Sequence, residues 1–184
     1  LYLMVLGAGE DFLKLRTLAI QLGVQRRVRW PGWRTDLAPY YSMADAFVCP
    51  SRHEPLGNVL LEAWSYGVPV VCTDTQAARE LIEHGRNGIV VPVQHPRAIA
   101  ASLLSLLREE RAASAQLIEG GRKMLQVRFG RDQVIASYRS LYEELAIRGA
   151  SPVSRGHKTK SSASAMRNES PRGAFGYEPG AIPT

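Results

Sequence analysis

The stretch SRHEPLGNVLLEAWSYGVPVV, residues 51–71, carries two acids, Glu54 and Glu62, separated by a Pro55-Leu56-Gly57-Asn58 turn and an apolar run that starts at Val59. A carboxylate can accept hydrogen bonds from both hydroxyls of a vicinal diol. A helix starting near Gly57 would present amides that have no partner inside the helix and carry partial positive charge, a natural seat for a phosphate. Gly57 has no Cβ, so backbone and anion can approach closely. Glu62 then lies five residues further on, about 7 Å along the helix axis. That is past a phosphate and within reach of the next group of a nucleotide, the ribose. Glu54, on the loop side, faces the other way, where it can accept hydroxyls of a sugar. Sugar, phosphate and ribose in that order describe a nucleotide-sugar.

These residues need elements to hold them. Leu1–Leu6 is a continuous apolar run, as in a strand buried on both faces. Further short apolar runs, at 28–30, 46–49, 68–72 and 88–91, alternate with helical patterns at 12–22, 57–66 and 76–83, with Asp36 placed to cap a short helix through Tyr41. After Pro92 the pattern is helical only. One helix opens on Pro96 with Ile99, Leu103, Leu104 and Leu107 as its stripe, and a second covers about 112–127. A third covers about 132–146, with Val134, Ile135, Tyr138, Leu141, Tyr142 and Leu145 on one face. Alternating strands and helices predict an α/β fold: a Rossmann-like parallel sheet with helices on both faces and a helical C-terminal extension. In such sheets ligands gather beyond the carboxyl ends of the strands, which is where residues 51–58 fall.

Composition narrows the function classes. Hydrophobic residues make up 45% and charged residues 22% of the 184, the balance of a globular domain. The formal charge is +6, yet five of the 23 Lys and Arg fall in the last 35 residues, against two of the 17 acids. The body is therefore mixed in charge, unlike a nucleic-acid binder with a basic face. Residues 150–184 are rich in Ser, Gly and Pro and poor in large apolar side chains, which predicts a disordered basic tail; a run such as its Arg155, Lys158, Lys160, Arg167 and Arg172 is more often simply solvated than in peripheral contact with anionic lipid. No apolar run approaches the ~20 residues needed to span a bilayer. Cys49 and Cys72 each end an apolar run and read as small buried hydrophobes, in keeping with a reducing cytoplasm. No metal-ligand spacing is present. Gly7-Ala8-Gly9 suggests a dinucleotide turn, but Phe12 stands where the third glycine belongs and no acid closes the second strand, so a nicotinamide oxidoreductase is the weakest of three readings. A non-catalytic nucleotide-binding or interaction domain is the second.

The first rests on further motifs. Leu6-Gly-Ala-Gly-Glu10 follows the first strand, and Ala44-Asp-Ala-Phe-Val48 leads to Pro50-Ser51. The two-glutamate stretch, Gly67-Val-Pro-Val-Val71, Glu80-Leu-Ile82 and Gly85-Arg-Asn-Gly-Ile-Val-Val91 follow in order. Over about residues 1–146 the chain resembles the C-terminal, donor-binding half of a retaining glycosyltransferase of the GT-B type, family 4. The resemblance implies that residues 1–149 form a donor-binding domain in which Glu54 is the catalytic residue and contacts hydroxyls of the donor sugar, and Glu62 contacts the ribose. It also implies that Glu54, Pro55, Leu56, Gly57, Asn58 and Val59 form the donor-binding segment, in which backbone amides at Leu56, Gly57 and Asn58 hold the sugar or pyrophosphate. Gly7 faces the same edge, and Gly32, Trp33 and Arg34 border the base. It implies a UDP- or GDP-sugar as substrate, no cofactor and no metal, and a glycan or lipid-linked acceptor held by a second domain. Two pieces of the family pattern are not found: an earlier strand and helix carrying an Arg and Lys pair for the pyrophosphate, and the acceptor-binding N-terminal domain. The expectation is an incomplete half-domain, inactive in transfer by itself, working in the cytoplasm or at the inner face of the plasma membrane in polysaccharide assembly.

Overall fold

A computed structural model describes residues 1–108 and 111–149. The elements in chain order are β1 (Leu3–Leu6), α1 (Phe12–Gln21), a 3-10 turn (Gln25–Arg27), β2 (Val28–Gly32), α2 (Ala38–Ser42), β3 (Phe47–Cys49) and α3 (Asn58–Ser65). They continue with β4 (Val70–Thr73), α4 (Gln76–Leu81), β5 (Ile89–Val91), α5 (Pro96–Arg108), α6 (Arg111–Phe129) and α7 (Arg131–Gly149). The expected basic tail, 150–184, lies outside the described residues. The chain divides into a compact unit, Leu1–Glu143, and a second, Glu144–Thr184, of which the described part continues α7.

All strand pairs are parallel, as the alternation of strands and helices predicts, and they form two sheets: β1 with β2, and β3-β4-β5 in that order. In the larger sheet Phe47, Val48 and Cys49 lie opposite Val70, Val71 and Cys72, and Thr73 opposite Val91. The central strand β4 is buried along its whole length. Alternation along it sorts the core. Val70 and Cys72 pack with Leu60, Ala63 and Trp64 of α3 and with Ala77, Ala78 and Leu81 of α4. Val71 packs with Leu106 and Leu117 of α5 and α6. Helices thus cover both faces of this sheet.

Three readings of the sequence are corrected. β1 is not buried on both faces: Leu3 is 52% and Leu6 37% exposed, because β2 is its only strand neighbour among the described residues. α4 stops at Leu81, not Glu83, because the buried Asn87 side chain takes over the backbone groups there, Nδ2 donating to the Leu81 carbonyl (3.1 Å) and Oδ1 accepting from the Glu83 amide (2.8 Å). On α5 the fully buried residue is Leu106, with Leu103 beside it, while Leu104 and Leu107 are exposed. The apolar face expected on the last helix is present on α7 with the residues expected, and Val134, Ile135, Tyr138, Leu141 and Tyr142 are all exposed. Among the described residues no helix is long and apolar enough to cross a membrane.

Candidate functional site

The loop after β3 is pinned from below by β4 and α4. Thr73, at the carboxyl end of β4 and buried, points Oγ1 at the carbonyls of Ser51 (2.5 Å) and Cys49 (3.2 Å), sharing its proton between them. The Glu54 carbonyl accepts from the Ala77 amide at 2.9 Å, in the first turn of α4. Thr75 caps that helix, Oγ1 accepting from the Ala78 amide. The loop backbone is therefore held at both Ser51 and Glu54. Gly57 closes it with φ 73°, in the left-handed region that costs other residues roughly 1–2 kcal/mol. A Cβ there would also stand 2.8 Å from Leu81 Cδ1 and 2.9 Å from Ala77 Cβ. Backbone angle and packing each require glycine.

α3 starts at Asn58, directly after this glycine. Glu54 does not face away from the helix as the sequence suggests. Its Oε1 turns back to accept from the Gly57 amide at 3.2 Å, where the helix end stabilises its charge. Among the described residues the next two amides, Asn58 and Val59, have no partner, so the anion seat lies one step inside the glycine. Asn58 is exposed, Val59 half-buried against the core, and Pro55 and Leu56 exposed on the loop. Arg52 and His53 are exposed beside them.

Glu62 is half-buried on α3, and its Oε2 accepts from the Tyr41 hydroxyl of α2 at 3.4 Å. Burial first, and the Glu62 charge second, push the Tyr41 hydroxyl well above the usual tyrosine range. The preceding residue, Tyr40, accepts from Arg34 Nε at 2.9 Å. The short helix α2 thus touches both Glu62 and the segment after β2. In that segment Gly7 and Gly32 meet across the β1–β2 pair, the Gly7 amide donating to the Gly32 carbonyl at 2.9 Å, both at positive φ. Trp33 beside them is 74% exposed. Trp64, by contrast, is core: fully buried, with Nε1 donating to the Asn87 carbonyl at 2.9 Å. Sequence reasoning missed Thr73 and Tyr41. The only signal for Tyr41 was a tyrosine pair in a very short helix.

The two cysteines are free, buried and opposite each other on β3 and β4. Burial, helped by neighbouring Cys49, pushes the Cys72 thiol up to about 12. Thiolate is the reactive form, so Cys72 is not a candidate nucleophile. Iodoacetamide at about pH 8 is expected to leave Cys72 unmodified in the folded chain and to alkylate it in guanidinium; mass spectrometry reads the difference.

Comparison with known proteins now places this arrangement. Residues 1–109 match the family model described as "Glycosyl transferases group 1". The lipopolysaccharide core biosynthesis glycosyltransferase LpsE of Rhizobium meliloti is 36% identical over 140 residues, 76% of this chain and 41% of that protein. A D-inositol 3-phosphate glycosyltransferase of Thermobispora bispora is 34% identical over 132 residues, 71% of this chain and 30% of that protein. Among solved structures, Anabaena Alr3699/HepE in complex with UDP superposes with TM-score 0.71 at 25% identity, over 80% of this chain and 41% of that one. The chain thus spans about two fifths or less of the length of these relatives. The match runs through β1 to α5, the elements that carry Gly7, Gly32, Glu54 and Glu62. Fold, motif order and family model agree: the chain belongs to the group 1 glycosyl transferases, with the Rossmann-like α/β fold of a GT-B half.

Proposed function

We propose that this chain binds the nucleotide-sugar donor of a glycosyl transfer, a UDP- or GDP-sugar, across the N-terminus of α3. The observation that carries the reading is the pair of open amides, Asn58 and Val59, set between a half-buried carboxylate at the helix mouth and another about one turn inside. In this reading the amides, not a metal ion, meet the diphosphate charge. Glu62 accepts the ribose hydroxyls, and Glu54 leaves the Gly57 amide to accept hydroxyls of the donor sugar. Trp33 and Arg34 border the base. Support comes from a similar structure solved with UDP-glucose, at 26% identity and TM-score 0.68.

The transfer itself breaks the bond between the sugar's anomeric carbon and the diphosphate oxygen and forms one to an acceptor hydroxyl. The acceptor proton leaves with the nucleoside diphosphate. We assign the acceptor, a glycan or lipid-linked saccharide, to a domain outside these residues, and retention of configuration to kinship with the family. A nicotinamide reading finds no support in the family match.

Thermal unfolding with ligand tests the donor reading. A nucleotide at about 100 times its Kd stabilises by about 2.7 kcal/mol. For a chain of this size that raises Tm by about 5–10 °C. UDP or GDP is expected to give such a shift and NAD none. A shift with NAD alone would overturn the proposal.

A further inference from the structure

We propose that Tyr41 is a positioning residue for the nucleoside: its hydroxyl holds the Glu62 carboxylate in the orientation that receives the ribose diol. The inference rests on the donor-binding reading above and adds to it a residue outside the two-glutamate stretch.

The contacts around the ring leave it little freedom. Tyr41 is 8% exposed. Its ring stacks on Tyr66, centroids 5.0 Å apart and planes 8° from parallel, and packs against Phe47 of β3 at 5.8 Å and 50°. Tyr66 lies four residues beyond Glu62, one turn along α3, so the ring lies against the helix face that carries Glu62. The backbone of α2 is held as well, with the Tyr41 amide donating to the Leu37 carbonyl and the Asp36 carboxylate accepting from the Ala38 amide. A ring fixed by two aromatic neighbours and a held backbone delivers its hydroxyl to one place, Glu62 Oε2.

Glu62 has no such restraint of its own. A glutamate has three side-chain torsions, and ordering a flexible side chain on binding costs about 0.5–1.5 kcal/mol. Among the described residues Tyr41 is the sole hydrogen-bond partner of its carboxylate, which leaves Oε1 open. The Tyr41 contact orders the carboxylate before a ligand arrives and still leaves one oxygen with all its lone pairs. The neighbouring Tyr40 holds Arg34 in the segment after β2. One five-residue helix thereby sets side chains on both flanks of the nucleoside.

Tyr41→Phe keeps both ring contacts and removes only the hydroxyl. The test titrates the 184-residue chain with UDP and GDP, and then with the 2′-deoxy form of whichever binds, by calorimetry, in wild type, Tyr41→Phe, Glu62→Gln and the double variant. Losing a modest hydrogen bond to a charged group predicts a fall of about three- to tenfold in affinity for the ribonucleotide. The deoxy form should lose less, so that the ribose-to-deoxyribose preference shrinks while Tm stays within a few degrees. In the Glu62→Gln background Tyr41→Phe should add nothing. A merely structural tyrosine would weaken both nucleotides equally. An unchanged preference in folded Tyr41→Phe overturns this inference alone, leaving donor binding intact. A wild-type chain that binds neither UDP nor GDP overturns it together with the donor reading.

Discussion

Gly121→Ala is expected to destabilise the chain by about 2 kcal/mol, lowering Tm by roughly 4–8 °C, although a glycine replaced in the middle of a helix normally gains stability. The intrinsic gain is about 1 kcal/mol. It is outweighed by what the new methyl would meet. A Cβ on Gly121 would overlap the indole of Trp64, with Cγ and Nε1 both at 2.6 Å. Trp64 cannot yield. It has no exposed surface, sits among Leu60, Ala63 and Val70, and its Nε1 is committed to the Asn87 carbonyl. Overpacking costs typically 1–3 kcal/mol where neighbours can shift. Here they cannot, so the cost falls at or above the top of that range. Gly120 makes a related demand, since its Cβ would strike the Arg86 carbonyl oxygen, which is backbone. Gln116→Ala, on the exposed side of the same helix, should change stability by less than about 0.5 kcal/mol. Thermal and urea unfolding of the three proteins checks the prediction, and a Gly121→Ala chain as stable as wild type would contradict the packing described here.

Glu62→Ala is expected to weaken nucleotide binding ten- to a hundredfold while leaving the fold in place. A charge-assisted acceptor is worth about 1.5–3 kcal/mol. At about 1.4 kcal/mol per decade that range gives the stated loss. Stability should change little, because Glu62 is half-buried and the one hydrogen bond to its carboxylate among the described residues, from Tyr41, is long at 3.4 Å. The Tyr41 ring keeps its stack on Tyr66 in the variant. Calorimetric titration with UDP or GDP, alongside a melting curve, separates lost affinity from lost fold. Unchanged affinity in a folded variant would remove Glu62 from the site. The two substitutions test different layers: Gly121 supports the back of α3, and Glu62 lies on the side proposed to receive the nucleotide.

Much of the site's scaffold was legible because it depends on local rules. Gly57 before an apolar run marks a helix start, and the structure places α3 one residue later. The apolar runs at 46–49 and 68–72 became neighbouring parallel strands because strands linked through a helix pair that way. Where periodicity alone had to choose a face, it erred. Leu104 and Leu107 fit the α5 stripe as well as Leu106 does, and which one is buried depends on where β4 and α6 lie. The apolar face of α7 shows the same limit: spacing defines a stripe without saying what covers it.

Element types, family motifs and the two acids could be read along the chain, since each is written in residues within one or two turns of each other. How those acids are held is set by packing between distant elements. The Thr73 hydroxyl reaches across from β4 to the Ser51 carbonyl, the Ala77 amide binds the Glu54 carbonyl, and Tyr41 crosses from α2 to Glu62, each joining residues 21 to 23 positions apart. Hydrogen bonds of this kind depend on side-chain direction after packing, which is fixed by the whole core and not by any local pattern.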